Sequence, residues 1–195
     1  MMRLLLICLG RLPLHVLHAL GAAAGWVTYV ASPTYARRLR ENLRASGVCA
    51  DAHCEALIKQ NVAETGKGVL ELAAVWFAPQ ASLQRWSHSD TWQAVEQARK
   101  PGQGVIFLTP HLGGFEFSAQ YAAQRTPLTV LYRPPKLRWL EPLMIEGRSR
   151  RGMKVAPANL HGVRRFYKAL QRGEAVGLLP DQTPGVGEEI GRAYV

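Results

Sequence analysis

The segment best equipped for chemistry is TPHLGGFEFS, Thr109–Ser118. It carries an imidazole, His111, and a carboxylate, Glu116, five positions on, with Gly113 and Gly114 between them. Within one uninterrupted helix, residues five apart point about 140° away from each other and do not meet. With His111 in a loop and Glu116 in the first turn of the next helix, the two glycines let the backbone bend them together. A carboxylate on one ring nitrogen fixes the tautomer and stabilises the imidazolium, and the other nitrogen is then free to take a proton from an alcohol. No G-x-S-x-G segment is present, so Ser118 is not a convincing nucleophile. On spacing alone the pair is a weak signal, because a core or capping histidine looks the same.

The surrounding elements raise it above that background. GVIFLT, Gly104–Thr109, is a short apolar run bounded by Pro101-Gly102 and Pro110. It predicts a strand buried on both faces. His111 then falls at the carboxyl end of a strand, where open α/β sheets place their sites. Further strands are expected at Leu128–Tyr132, Met153–Ala156 and Ala175–Leu179, and helices at Gly114–Gln124, Leu137–Arg151 and Leu160–Gln171. Upstream, residues 35–78 read as helical up to Pro79, and Thr91–Arg99 as a short helix. The alternation predicts an α/β fold, a mainly parallel sheet flanked by helices. Asp181 and Gln182 follow the last strand and should reach the edge of the same site. Asp181 reads as an orienting or acceptor-binding group, or as a loop cap. The chain stops soon after a strand, at GRAYV, which suggests C-terminal truncation.

Of the 195 residues, 48% are hydrophobic and 19% charged. That excludes a disordered chain, a collagen-like chain and a small disulfide scaffold. Cys8, Cys49 and Cys54 are too irregular for a disulfide framework and are expected to be reduced. His53, His88 and His161 lack neighbours at ligand spacing, so no metal is expected. The net charge of +10 is uneven: residues 132–172 hold eleven Lys and Arg against two acids, and residues 1–44 hold six against one. Such a field favours anionic partners. Near the N-terminus, Leu12–Ala31 reads LPLHVLHALGAAAGWVTYVA, twenty residues almost free of charge. As a helix it would span about 30 Å, enough to cross a bilayer. His15, His18 and the glycines weaken it as a spanning helix, so an uncleaved anchor, tilted or lying in the interface, is expected. The alternative is a buried helical hairpin packed on a soluble domain. Arg37, Arg38, Arg40 and Arg44 follow as a cluster suited to anionic headgroups. The expected division is an N-terminal membrane anchor over 1–34 and a catalytic domain over 35–195.

The H-x-x-x-x-E of His111 and Glu116 resembles the H-x4-D/E signature of glycerolipid-type acyltransferases. The N-terminal apolar anchor, PHLGGFE, LYRPPKLRWLEPLMIEGRSRRG and LLPDQTPG make the chain most similar to one branch, the bacterial lipid A late (lauroyl/myristoyl) acyltransferases. No F-P-E-G-T-R-like segment is present, which argues against the lysophosphatidic acid branch. The resemblance runs over nearly the whole chain, and the family's chains are longer.

It implies transfer of an acyl chain from a thioester, usually on acyl carrier protein, to a hydroxyl of a lipid A precursor. With no convincing nucleophile in the sequence, direct transfer without an acyl-enzyme is expected, and no cofactor is expected. His111 would be the base, Glu116 its partner, and Arg148 would match the position that steadies the oxyanion. Arg133 would clamp a phosphate or support its loop. Arg150 and Arg151 would bind acceptor phosphates, or be solvated. Asp181 and Gln182 would touch the substrate. The implied partners are acyl carrier protein, the lipid A precursor and the membrane surface, and the implied location is the cytoplasmic face of the bacterial inner membrane. Two alternatives stay open: another glycolipid acceptor such as a phosphatidylinositol mannoside, or a non-catalytic membrane protein that binds anionic lipid. Nucleic acid is not expected, since no helix-turn-helix or aromatic-basic motif is present.

Overall fold

The computed structural model describes residues 1–48, 54–99 and 102–181. They fall into two compact units: Met1–His88 with Pro142–Arg150, and Ser89–Glu141 with the described residues of Arg151–Val195.

The first unit is helical. It contains α1 (Met2–Gly10), α2 (Leu14–Ala31), α3 (Pro33–Ala45), α4 (Cys54–Phe77) and α5 (Gln80–Trp86). Ser32 starts α3 by accepting a hydrogen bond from the Tyr35 N–H at 3.3 Å, with Pro33 in the first turn, where its missing donor costs nothing. The helical stretch expected over 35–78 is divided. α3 ends at Ala45, and Gly47 follows with φ +75°, a left-handed conformation that suits glycine at a helix end. Cys54 is disulfide-bonded rather than reduced, Cys8 is free, and Cys49 lies outside the described residues.

Helices α2 and α4 pack at a glycine seam. A Cβ on Gly25 would strike the Val62 carbonyl oxygen, and one on Gly66 would strike that of Gly21, so only glycine lets these backbones come so close. His18 Nε2 lies 2.6 Å from Glu71 Oε1 across the same seam. A smaller core forms where Leu39 of α3 meets Ile58 and Val62 of α4, with Tyr29 against it. Among the described residues, one helix, Leu14–Ala31, is long and apolar enough to cross a membrane. Only Leu17, Gly21 and Gly25 of α2 are buried, a pattern unlike that of a soluble core helix.

The second unit is α/β. It contains α6 (Trp92–Ala98), β1 (Val105–Leu108), α7 (Phe115–Ala123), β2 (Leu128–Tyr132), β3 (Met153–Pro157), α9 (Leu160–Gln171) and β4 (Ala175–Leu178). All three strand pairings are parallel, in the order β1-β4-β2-β3. Alternation along the strands feeds two cores. Leu128, Val130, Met153 and Ala175 pack with Ala122 and Ala123 of α7 on one face. Leu131 and Val176 pack with Phe166 and Ala169 of α9 on the other. β1 departs from the expectation of a strand buried on both faces. Among the described residues it is an edge strand, with Ile106 52% and Leu108 66% exposed. An apolar run does not distinguish a central strand from an edge strand with an open face.

The helix expected over Leu137–Arg151 is also shorter. A 3-10 turn at Arg138–Leu140 leads into α8 (Glu141–Ser149). Pro142 lacks an N–H and is tolerated only in the first turn of a helix, so the α-helix begins there. Arg151, at φ 62°, then breaks the backbone before β3.

Candidate active site

The site grows from two adjacent strand ends. β1 and β4 pair in register, Leu108 opposite Leu178. The Thr109 N–H continues the ladder to the Leu178 carbonyl at 3.1 Å. His111 and Asp181 each stand three positions past those paired residues, so equal loop lengths bring them together. The His111 main-chain N–H donates to Asp181 Oδ2 at 2.8 Å, and the ring Nδ1 lies 2.9 Å from Oδ1. These bonds, the main-chain one first, hold the Asp181 carboxyl below its ordinary value of 3.8. An ionised carboxylate only accepts hydrogen bonds, so the shared proton belongs to Nδ1. In the neutral ring the lone pair then sits on Nε2. The two side chains are 32% and 36% exposed, so a substrate can reach them.

The ring is also braced from the helix side. Phe115 meets His111 edge-on, with centroids 5.0 Å apart. Gly113, at φ +55°, makes the turn that feeds α7, and the Phe115 N–H returns to the Gly113 carbonyl at 3.0 Å. Glu116 lies in the first turn of α7 and is buried. Leu112, beside His111, is 78% exposed, giving the site an apolar rim.

The remaining candidates divide between the units. Arg148, in the last turn of α8, and Arg150 belong to the first. Arg150 donates to the Trp76 carbonyl at 2.7 Å. Arg133 and Arg151 belong to the second. Arg133 is exposed just past β2. Arg151 donates to Gln120 Oε1 of α7 at 3.3 Å. Next to Arg133, the Tyr132 hydroxyl donates to Glu141 at 3.0 Å, and burial followed by that bond pushes its pKa above the usual 10.0. Gln182 lies outside the described residues. Sequence reasoning missed Phe115 as a brace for the imidazole. Its only signal was an aromatic directly after the glycine pair. Among the described residues, no group of three or more metal-ligating side chains converges.

The arrangement is one imidazole held by one carboxylate, open to solvent at a sheet edge. Comparison with known proteins narrows its setting. Residues 2–190 match the family described as bacterial lipid A biosynthesis acyltransferase. The chain is 28% identical over 182 residues to the Escherichia coli (strain K12) lipid A biosynthesis palmitoleoyltransferase. It is equally similar to the Shigella flexneri lipid A biosynthesis acyltransferase, and each match covers 90% of this chain and 57% of the relative. A Haemophilus influenzae lipid A biosynthesis acyltransferase is 27% identical over 130 residues, 66% of this chain and 40% of that one. The chain thus spans little more than half the length of its first two relatives. Because the family match runs through both units, the chain belongs to the bacterial lipid A biosynthesis acyltransferase family.

Proposed function

We propose that the full-length protein is an O-acyltransferase, carrying a fatty acyl chain from an acyl carrier protein thioester to a hydroxyl of a lipid A precursor. Its place would be the cytoplasmic face of the bacterial inner membrane. The observation that carries the chemistry is the double grip of Asp181 on His111, which leaves Nε2 as the basic nitrogen.

In this reading Nε2 takes the proton of the acceptor hydroxyl as its oxygen attacks the thioester carbon. The carbonyl oxygen becomes an oxyanion, and Arg148 is the candidate donor to it. Collapse breaks the C–S bond, and the departing thiolate takes the proton back from the imidazolium. Asp181 orients the ring. Glu116, buried in the first turn of α7, is the candidate second carboxylate behind the base. Arg133, Arg150, Arg151 and Gln182 are the candidates for the acceptor's polar groups. Arg150 and Arg151 each already give one hydrogen bond to the protein, so they would enter with part of their donor capacity spent. Apolar α2, with few residues buried, supports a membrane setting.

The test uses the full-length protein, a radiolabelled hydroxylated lipid A precursor and an acyl carrier protein donor. His111→Ala should lower transfer by about 10²–10⁴-fold and Glu116→Ala should lower it less, and turnover retained in both would remove the enzymatic reading. Mass spectrometry of lipid A from cells with and without the gene should differ by one acyl chain, and an unchanged profile would reject this acceptor.

A further inference from the structure

We propose that the first unit holds a binding site for one anionic phospholipid headgroup, in a cavity of about 480 Å³ where α2 passes into α3. The proposal rests on the first unit alone and not on the acyl-transfer chemistry. Three of its walls are basic: Arg37, Arg40 and Arg44 recur at i, i+3 and i+7 and so share one face of α3. Like charges this close repel one another. The carboxylate among the lining residues is Glu41, 4.0 Å from Arg37, so the formal charges of the lining leave two positive charges uncompensated. A phosphate relieves that repulsion, and guanidinium forks match its oxygens.

The other walls are apolar: Tyr29, Val30, Pro33 and Ala36. Tyr29 is fixed. Its ring packs against the Leu39, Ile58 and Val62 core, meets Trp26 edge-on at 5.7 Å, and carries the Arg40 guanidinium 5.5 Å from its centroid. The cavity opens at the end of the helix long and apolar enough to cross a membrane. On that helix Val27 and Val30 are 67% and 78% exposed, suited to lie along acyl chains while the phosphate meets the arginines. A free phosphate would use the arginines but gain nothing from this apolar wall, which is why the occupant assigned here is a lipid.

Arg38 supplies the control. It carries the same charge on the same helix but does not line the cavity. The experiment titrates full-length protein in neutral detergent with dioctanoyl phosphatidylglycerol, dioctanoyl phosphatidylcholine or inorganic phosphate, following heat release and melting temperature. Saturable binding of the phosphatidylglycerol at one site is expected, with phosphatidylcholine and phosphate much weaker. Arg40→Gln should weaken it about fivefold, and Arg37→Gln with Arg40→Gln and Arg44→Gln together on the order of a hundredfold. Arg38→Gln should leave it unchanged. Equal loss in Arg38→Gln and Arg40→Gln would mean diffuse attraction and overturn the site. Equal binding of phosphatidylcholine, or phosphate alone matching the lipid, would overturn the headgroup assignment. Should the triple variant fail to fold, the two single variants still decide.

Discussion

Strand β4 has a carboxylate near each end, and the two are held in different ways. Glu174, just before Ala175, takes Lys154 at 3.0 Å and Arg172 at 3.0 Å. The Arg172 hydrogen bond, with Lys154 behind it, outweighs burial and lowers its pKa from 4.5 to about 2. Both partners only donate, so this cluster spends the carboxylate on holding the strand. Asp181, beyond the other end, has an imidazole as its partner instead. It is tied to the His111 main chain and ring, and the ring keeps one nitrogen for other work. A saturated ion cluster fastens a strand, whereas a carboxylate pinned by one main-chain donor and one imidazole is the arrangement the proposed base requires. The count and kind of partners set the two carboxylates apart.

The sharpest way to break this contrast is His111→Ala, which should lower turnover by about 10²–10⁴-fold and leave the melting temperature nearly unchanged. Asp181→Asn comes next. It keeps the shape but loses the charge that selects the Nδ1 proton, so turnover should fall by about 10–10³-fold with little loss of stability. If instead it lost stability and kept turnover, the two ends of β4 would be alike. Glu174→Gln should do the reverse, costing about 1–2 kcal/mol of stability, read as a drop of a few degrees in melting temperature, with turnover intact. The smallest effect is on acid stability. The folded pKa of Glu174 is depressed, so its contribution is complete above about 4.5 and is lost as pH falls toward about 2. Thermal melts across that range should show a shallower acid limb in Glu174→Gln than in the parent.

Much of the second unit was legible in its local pattern. The runs at Leu128–Tyr132, Met153–Pro157 and Ala175–Leu178 are short, apolar and turn-bounded, and Leu160–Gln171 alternates at helical spacing. Those cues are carried by neighbours along the chain, so a single sequence reveals them. The breaks were harder to read. Gly47 ends α3 through a left-handed backbone, and Arg151 interrupts the helix expected up to it with a positive φ that its residue type does not favour. The exposure of β1 was hidden as well, because apolar side chains read alike whether or not anything covers them.

The chain's own order therefore determined the α/β alternation, the placing of His111 after a strand, and the basic and apolar stretches near the N-terminus. Only tertiary structure decided that β4 lies beside β1, and with it that Asp181, seventy residues away, meets His111 at both the main chain and Nδ1. The physical reason is range. Periodicity and turn chemistry act over a few residues, whereas strand order is chosen by packing and crossover connections that no local window contains.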